Sequence, residues 1–260
     1  MITLRKLASL PKGTKVRKAV RLLEYFQKEL RLNQPIDLSY LQGLITLILE
    51  EVDDVAIRAK LLAIDLEGEI LWPLSDALLL LHQSLGIEQA DWDFDEFELE
   101  KGERRLYPFT IVLDRLRSPF NVGSIFRTAE SFGVNQIYLI EPSAAADHPR
   151  ALRSGRGCQA EIPWQSIEEG ELLELIGNRP LFALESGGED INHFEFPADG
   201  VAIIGSEELG VSPAMLAAAD NSLGRVTIPL FGKKGSLNVS VAFGILMNVW
   251  FTQIDQRENQ

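Results

Sequence analysis

Three segments of this chain place polar side chains and glycine where chemistry could occur. In the first, residues 113–133, Asn121, Gly123 and Arg127 follow the spacing N-x-G-x-x-x-R. We expect Asn121 to cap a helix and the Arg127 guanidinium to lie over its first turn, where Gly123 leaves room. A helix N-terminus beside an arginine suits a phosphate. The alternative is that Arg127 pairs with Glu130 or with an acidic linker.

The second segment, residues 202–213, follows an apolar run that predicts a strand. The strand ends in Gly205-Ser206, and Glu207 and Glu208 come next. Glycine at a strand end lets a ligand approach the backbone closely. The two carboxylates could bind a cation, a ribose hydroxyl or an amino group, and they would repel a phosphate. Taken alone, the segment is better explained as a capped turn with acids on the surface.

The third segment, residues 226–250, joins a short predicted strand to a helix. A glycine-flanked dibasic loop at 232–235 leads to Ser236-Leu237-Asn238, directly before the helix. Serine and asparagine at this point are typical N-cap residues. Because the helix is apolar on nearly every side, we predict that it is buried. A polar corner anchored to a buried helix is a suitable place for a functional site.

The elements around these segments fall into two regions. Residues 1–90 show helical periodicity without strand patterns and predict a small all-α domain, and the acidic stretch 91–104 is interpreted as a linker. In 105–255, strands alternate with helices, which indicates a parallel sheet covered on both faces. Ligands gather at the carboxyl ends of such strands. The strands are expected at 109–114, 136–141, 161–164, 180–186, 200–205 and 225–229, and the helices at 14–31, 37–50, 53–66, 73–85, 121–132, 167–176, after 213 and after 238.

Charge divides unevenly along the chain. The net charge is −13, yet residues 1–31 hold nine Lys and Arg against two Glu, while residues 32–103 hold 17 acids against three bases. The basic stretch could bind RNA electrostatically, or it could be an amphipathic helix packed on the body or at a dimer interface. Both alternatives remain open. The candidate RNA contacts are Lys12, Lys15, Arg17, Lys18 and Arg21, together with Arg153 and Arg156.

Other compositional features exclude several classes of protein. A single cysteine, Cys158, excludes an intramolecular disulfide framework and a cysteine-cluster zinc site. Three histidines without helical metal spacing argue against a structural metal. No run of 18 uncharged apolar residues is present, and the first residues lack a signal-peptide pattern. We therefore expect a cytoplasmic protein without a membrane span or a metal.

The three segments, in this order, resemble motifs 1, 2 and 3 of the SpoU (TrmH-type) 2′-O-ribose RNA methyltransferases of the SPOUT superfamily. The resemblance covers about residues 106–252 and is most specific at Ser236–Ala242. It implies a SPOUT-type α/β domain with a C-terminal trefoil knot, an exception to the usual absence of knots. It also implies a homodimer and S-adenosylmethionine as the methyl donor. Donor contacts are implied for Ile204, Gly205, Ser206, Ile228, Leu230 and Leu237, and catalytic positions for Asn121, Arg127, Glu207, Ser236 and Asn238.

The resemblance also suggests how these residues would act. Arginine is a poor base, so Arg127 is expected to fix a phosphate and stabilise the developing alkoxide, while the phosphate or solvent takes the proton. Asn121 is expected to hold Arg127. The segment 150–158 and the all-α region depart from the family pattern, which leaves the RNA unspecified. The alternative function is a non-catalytic RNA-binding protein that retains the knot; a nicotinamide enzyme is disfavoured because its glycine fingerprint is missing.

Overall fold

The computed structural model describes residues 2–87, 105–233 and 235–258. The chain separates into two compact units, Met1–Asp95 and Glu96–Gln260. The predicted linker at 91–104 lies outside the described residues. Within those residues, no helix is both long enough and apolar enough to cross a membrane.

The described part of the first unit consists of helices, and its apolar faces form one core. Asp37 caps the helix Leu38–Glu51 by accepting the Tyr40 N–H at 2.9 Å. The last helix of this unit begins at Leu71, two residues before its predicted start at Pro73. The proline therefore lies in the first turn, where a missing N–H costs little. A first short helix was not predicted. The helices are α1 (Leu4–Ala8), α2 (Lys12–Arg31), α3 (Leu38–Glu51), α4 (Val55–Leu62) and α5 (Leu71–Ser84).

The second unit is an α/β fold built on six parallel strands, as the alternation of strand and helix patterns predicted. The strand order is β3-β2-β1-β5-β4-β6. The elements are β1 (Tyr107–Asp114), α6 (Pro119–Ser131), β2 (Val134–Ile140), α7 (Pro149–Gly155), β3 (Trp164–Ile167), α8 (Glu169–Ile176), β4 (Leu181–Asp190), β5 (Gly200–Gly205), α9 (Pro213–Asp220), β6 (Gly224–Thr227) and α10 (Val239–Glu258).

Helices cover both faces of the sheet. On β1, Ile111 and Leu113 belong to one core, while Val112 between them belongs to the other, as the alternation of side chains along a strand requires. The first core includes Trp250 of α10, whose ring lies 4.2 Å from that of Phe109, centroid to centroid. Both cores hold the strands in place, so the positions of the strand ends are fixed.

Two sequence predictions about helix starts and burial were wrong. Ser118, not Asn121, caps α6, because its hydroxyl accepts the Asn121 N–H at 3.4 Å and Pro119 follows in the first turn. Asn121 is therefore inside the helix, with its side chain buried. The closing helix α10 is not buried on every side, since Val241 is 53% exposed.

Gly123 has a different role from the one predicted. A Cβ at this position would lie closer than 3.0 Å to the Ser154 hydroxyl and to the Ala151 carbonyl oxygen. The space beside Gly123 is therefore filled by α7, not by the Arg127 guanidinium. The glycine allows α6 and α7 to pack backbone to backbone, which explains why a residue of low helix propensity occurs there.

Gly123→Ala should destabilise the second unit by about 1–3 kcal/mol, since the methyl group has no room between α6 and α7. The control is Gly170→Ala in α8, where an added Cβ meets nothing within 4 Å and should stabilise by up to about 1 kcal/mol. Denaturant unfolding of both variants measures the difference. Equal stability of the two variants would contradict the packing role of Gly123.

Candidate active site

One cavity of about 500 Å³ lies where β5 and β6 end beside the middle of β4. The second and third sequence segments supply most of its wall. Ser206, Glu207 and Leu209 follow β5, and Ser236 and Asn238 precede α10. The structure thus brings together every residue expected to contact the donor, namely Ile204, Gly205, Ser206, Ile228, Leu230 and Leu237.

The loop after β5 folds tightly back on its own strand. A Cβ at Gly205 would lie closer than 3.0 Å to backbone atoms of Gly210 and Val211. Ser206 and Gly210 exchange backbone hydrogen bonds of 2.9 and 3.0 Å. Gly205 therefore makes room for its own loop, whereas the sequence had suggested the approach of a ligand. The result is a short, rigid rim on the cavity.

Glu185, which follows the last residue of β4 that pairs with β5, fixes this loop from the other side. Its carboxylate accepts the Val211 N–H at 3.0 Å and the Ser186 N–H at 2.8 Å. Sequence reasoning missed this residue. The only signal was an acidic side chain at the end of an otherwise apolar strand pattern, and that pattern does not reveal a backbone partner 26 residues away.

A chain of side-chain hydrogen bonds joins the three motifs. Asn121 Nδ2 on α6 donates to Glu207 at 2.8 Å. Asn238 Nδ2 donates to Asn121 Oδ1 at 3.1 Å. Asn238 Oδ1 then accepts from the backbone N–H and the hydroxyl of Ser240, at 2.9 and 2.7 Å, and so caps α10. We call this chain, Glu207–Asn121–Asn238–Ser240, the inter-motif relay.

The relay has a fixed direction. An ionised carboxylate only accepts hydrogen bonds, so Asn121 must turn its NH₂ toward Glu207 and its oxygen toward Asn238. Asn238 must then turn its own oxygen toward the helix start. Glu207 thus orients the Asn121 amide, and Asn121 orients the Asn238 amide. The sequence had predicted that Asn121 holds Arg127; in the structure Asn121 instead holds the second and third motifs together.

The Glu207 carboxylate also holds the loop before α6. It accepts the backbone N–H groups of Arg117 at 2.9 Å and of Ser118 at 3.0 Å. Partial burial raises the pKa of Glu207, but the hydrogen bonds from Arg117, Asn121 and Ser118 outweigh it, so the net pKa is lowered. Glu207 is thus held in its charged form as a clamp.

Arg127 lies apart from this arrangement. Its side chain is exposed on α6, and Arg127 is absent from the residues that line the cavity. Gly123 and Ser131 lie on the same helix as Arg127, one turn before it and one turn after it. The Ser131 hydroxyl donates to the Arg127 carbonyl at 3.1 Å. The fold of one chain therefore brings Asn121, Glu207 and Asn238 together at the cavity. It leaves the Arg127 side chain exposed on α6.

The predicted RNA contacts of α2 divide into two kinds. Lys12, Arg17, Lys18 and Arg21 are exposed. Lys15 is largely buried and forms an ion pair with Glu51 of α3. Lys15 is therefore part of the packing between helices. Arg153 is exposed at the end of α7, and Arg156, which follows this helix, is half-buried with a φ of 50°.

The described residues contain no group of three or more histidine, cysteine or acidic side chains that could hold a metal ion. The lone cysteine, Cys158, is buried in the core of the second unit.

Comparisons with known proteins point to one family. Residues 108–248 match the family described as the SpoU rRNA Methylase family. An uncharacterized tRNA/rRNA methyltransferase from Borreliella burgdorferi is 29% identical over 65% of this chain and 74% of its own length. A 23S rRNA (uridine(2479)-2′-O)-methyltransferase from Streptomyces viridochromogenes is also 29% identical, over 51% of this chain and 48% of its own.

A solved structure gives the same result for the fold. The SpoU methyltransferase AviRb from Streptomyces viridochromogenes, in complex with AdoMet, is similar with a TM-score of 0.52 and 26% identity. The similarity covers 59% of this chain and 62% of AviRb. The first unit of this chain lies outside the family match, which begins at residue 108.

Glu207→Gln should destabilise the protein, because an amide offers one acceptor oxygen where the carboxylate accepts three donors. The pKa of Glu207 is lowered in the fold, so its contribution is present above its ordinary pKa and is lost as pH falls through the lower folded value. The stability gap between wild type and Glu207→Gln should therefore shrink in acid. Denaturant unfolding across the acid range measures it; a constant gap would contradict the clamp.

Proposed function

This chain belongs to the SpoU rRNA methylase family, and we propose that it transfers a methyl group from S-adenosylmethionine to a ribose 2′-hydroxyl of structured RNA, either tRNA or rRNA. The inter-motif relay is the observation that carries the proposal, because it unites the three motifs at one cavity. A relative is named for 2′-O-methylation of 23S rRNA, and a solved relative holds AdoMet.

The cavity suits this methyl donor. Its volume of about 500 Å³ is within the range of small-molecule sites. Ile204, Ile228 and Leu237 provide apolar walls for a flat adenine, and the neighbouring strand ends provide polar backbone groups. When bound, S-adenosylmethionine supplies an activated methyl group, so the acceptor hydroxyl needs only positioning and the loss of its proton.

Different residues of the chain would bind the RNA, stabilise the developing charge and hold the loops in position. Arg127 would bind the phosphate next to the target ribose and stabilise the negative charge that develops on the 2′-oxygen. A guanidinium does not accept a proton at neutral pH, so the phosphate or solvent takes it. Asn121, Glu207 and Asn238 are positioning residues that hold the three loops at fixed distances. Ser236 lines the cavity and would orient the donor.

We extend the proposal to a homodimer with a trefoil knot. An exposed Val241 on α10 and open space beside Gly244 support a second chain packing on this helix. The segment 235–238 and the loop 206–210, which would form part of the knot, line the same cavity and so lie close together. Sedimentation equilibrium that gives a monomer mass would contradict the dimer, and an experimental trace without threading at 226–238 would contradict the knot.

We also propose that residues 1–90 form an RNA-binding domain and that the enzyme acts in the cytoplasm. The exposed Arg17, Lys18 and Arg21 follow one another along α2 and would contact phosphates. Replacing all three with alanine should raise the KM for RNA and flatten its salt dependence, with little effect on kcat. Lys60→Ala, at an exposed ion pair on α4, is the matched control. An unchanged salt dependence would contradict this role.

Total RNA incubated with the protein and tritiated S-adenosylmethionine tests the function. The label should appear in 2′-O-methylnucleosides after digestion. Label in a base would contradict the proposed acceptor. RNA binding without any label would favour the alternative, a non-catalytic RNA-binding protein.

Arg127→Ala should lower kcat by about 100-fold or more, the usual cost of losing a group that stabilises transition-state charge. Affinity for S-adenosylhomocysteine should not change, because Arg127 does not line the cavity. Arg127→Lys keeps the charge but loses the bidentate fork, so it should recover only part of the rate. Undiminished turnover in Arg127→Ala would contradict the assignment.

A further inference from the structure

The loop after β5, residues 206–212, borders two cavities. One is the cavity proposed for the methyl donor, which we call the donor cavity, and the other has a volume of about 540 Å³. Ser206, Leu209 and Gly210 line both cavities. Protein segments are usually fixed by close packing against their neighbours. Because these three residues border open space in both cavities, their position depends strongly on the bonds that hold the ends of the loop.

Asp114, the last residue of β1, holds the far end of this loop. Its side chain is 1% exposed. One carboxylate oxygen accepts the Ser212 N–H at 2.6 Å, and the other accepts a hydrogen bond from Arg115 Nη1 at 2.6 Å. A buried carboxylate is costly unless it is paired and hydrogen-bonded. These two bonds therefore fix Asp114, and Asp114 fixes the backbone at Ser212.

Arg115 and Glu169 complete a ring around this contact. Arg115 Nη1 lies 2.9 Å from Glu169 Oε2 on α8. The same Glu169 oxygen accepts a hydrogen bond from the Ser212 hydroxyl at 3.2 Å. Ser212 is thus held through its backbone by Asp114 and through its side chain by Glu169. We call these four residues, Asp114, Arg115, Glu169 and Ser212, the loop anchor.

The end of the loop is held from both sides of β5. The neighbours of β5 in the sheet are β1 and β4. Asp114 of β1 accepts the Ser212 N–H, and Glu185 of β4 accepts the preceding Val211 N–H at 3.0 Å. Carboxylates from two strands therefore bind two consecutive backbone N–H groups, and the loop cannot shift without breaking one of these bonds.

The backbone of Arg115 has an unfavourable conformation. Its φ is 58°, in the left-handed region that residues other than glycine rarely adopt. Strained residues persist only where the surrounding contacts hold them, and they often occur at functional sites. The ion pairs of Arg115 with Asp114 and Glu169 are contacts of this kind.

We propose that Asp114 and Arg115 are positioning residues that set the affinity of the donor cavity through the loop 206–212. Neither residue lines the donor cavity, so neither would touch the donor. Residues 206–210 do line it, and they are joined directly to the anchored end at Ser212. The inference rests on the proposed function, because it takes S-adenosylmethionine as the ligand of this cavity.

The test measures binding of S-adenosylhomocysteine to the full chain by calorimetry. In Asp114→Asn one acceptor oxygen becomes an NH₂ group, so either the Ser212 N–H or Arg115 loses its acceptor. The Kd should rise by about tenfold, the usual cost of one hydrogen bond to a charged group. The KM for S-adenosylmethionine should rise with it. The kcat at saturating donor should change much less, since Glu207 keeps its own bonds to Arg117 and Ser118.

A second variant and a matched control accompany Asp114→Asn. Arg115→Asn removes the cation but keeps a residue that tolerates the left-handed backbone, and it should raise the Kd by a smaller factor. The control is Arg179→Ala, at the opposite end of the sheet. Arg179 is 34% exposed, close to the 37% of Arg115, and pairs with Asp199 at 2.6 Å. Its loss should lower the stability to urea and leave the Kd unchanged.

The inference is overturned if wild type and Asp114→Asn bind S-adenosylhomocysteine equally. If Asp114→Asn does not fold, Arg115→Asn decides, and an unchanged Kd in that variant overturns the inference. A rise of the Kd by the same factor in Arg179→Ala also overturns it, because the effect would then follow general destabilisation. A wild-type chain that does not bind S-adenosylhomocysteine at all contradicts the proposed function itself, and the inference with it.

Discussion

The hydrogen bond from Asn121 to Glu207 is the interaction on which the site depends most. Glu207 accepts at the same time from two backbone N–H groups before α6, so its carboxylate joins the first and second motifs at three points. Because this acceptor fixes the Asn121 amide, the amide oxygen points to Asn238 and accepts a hydrogen bond from its Nδ2. One charged group thus sets the orientation of the third motif and the start of α10.

The fold brings the partners of this bond within reach. The strands β1 and β5 are neighbours, with Asp114 opposite Gly205, so the first two motifs leave the sheet side by side. Gly123 lets α7 pack against α6, and Gly205 lets the second loop fold back on its strand. These close contacts leave little freedom in the loops, and a short polar relay can then determine the shape of the cavity.

Sequence patterns predicted β1, β2 and β5 well, because each is a short apolar run between turn residues. The strand expected at 161–164 lies instead at Trp164–Ile167, where the exposed Gln165 and Ser166 hide the strand pattern. The resemblance of three motifs singled out Ile204, Gly205, Ser206, Ile228, Leu230 and Leu237, and the structure places these six residues around one cavity. Arg127 lies apart from that cavity. The cap of α6 was misassigned although Ser118-Pro119 is a typical helix start, because Asn121 is an equally good capping residue. The close packing at Gly123 and the backbone partners of Glu185 could not be predicted, because both depend on residues distant along the chain.

We infer that Asn121 and Asn238 act as one unit that couples the motifs for methyl transfer. A double-mutant cycle on kcat, with Asn121→Ala, Asn238→Ala and the double variant, tests it most directly. If the relay is one unit, either single change breaks it, and the double variant should be about as slow as the slower single variant. Losses that add independently in the double variant would contradict the claim.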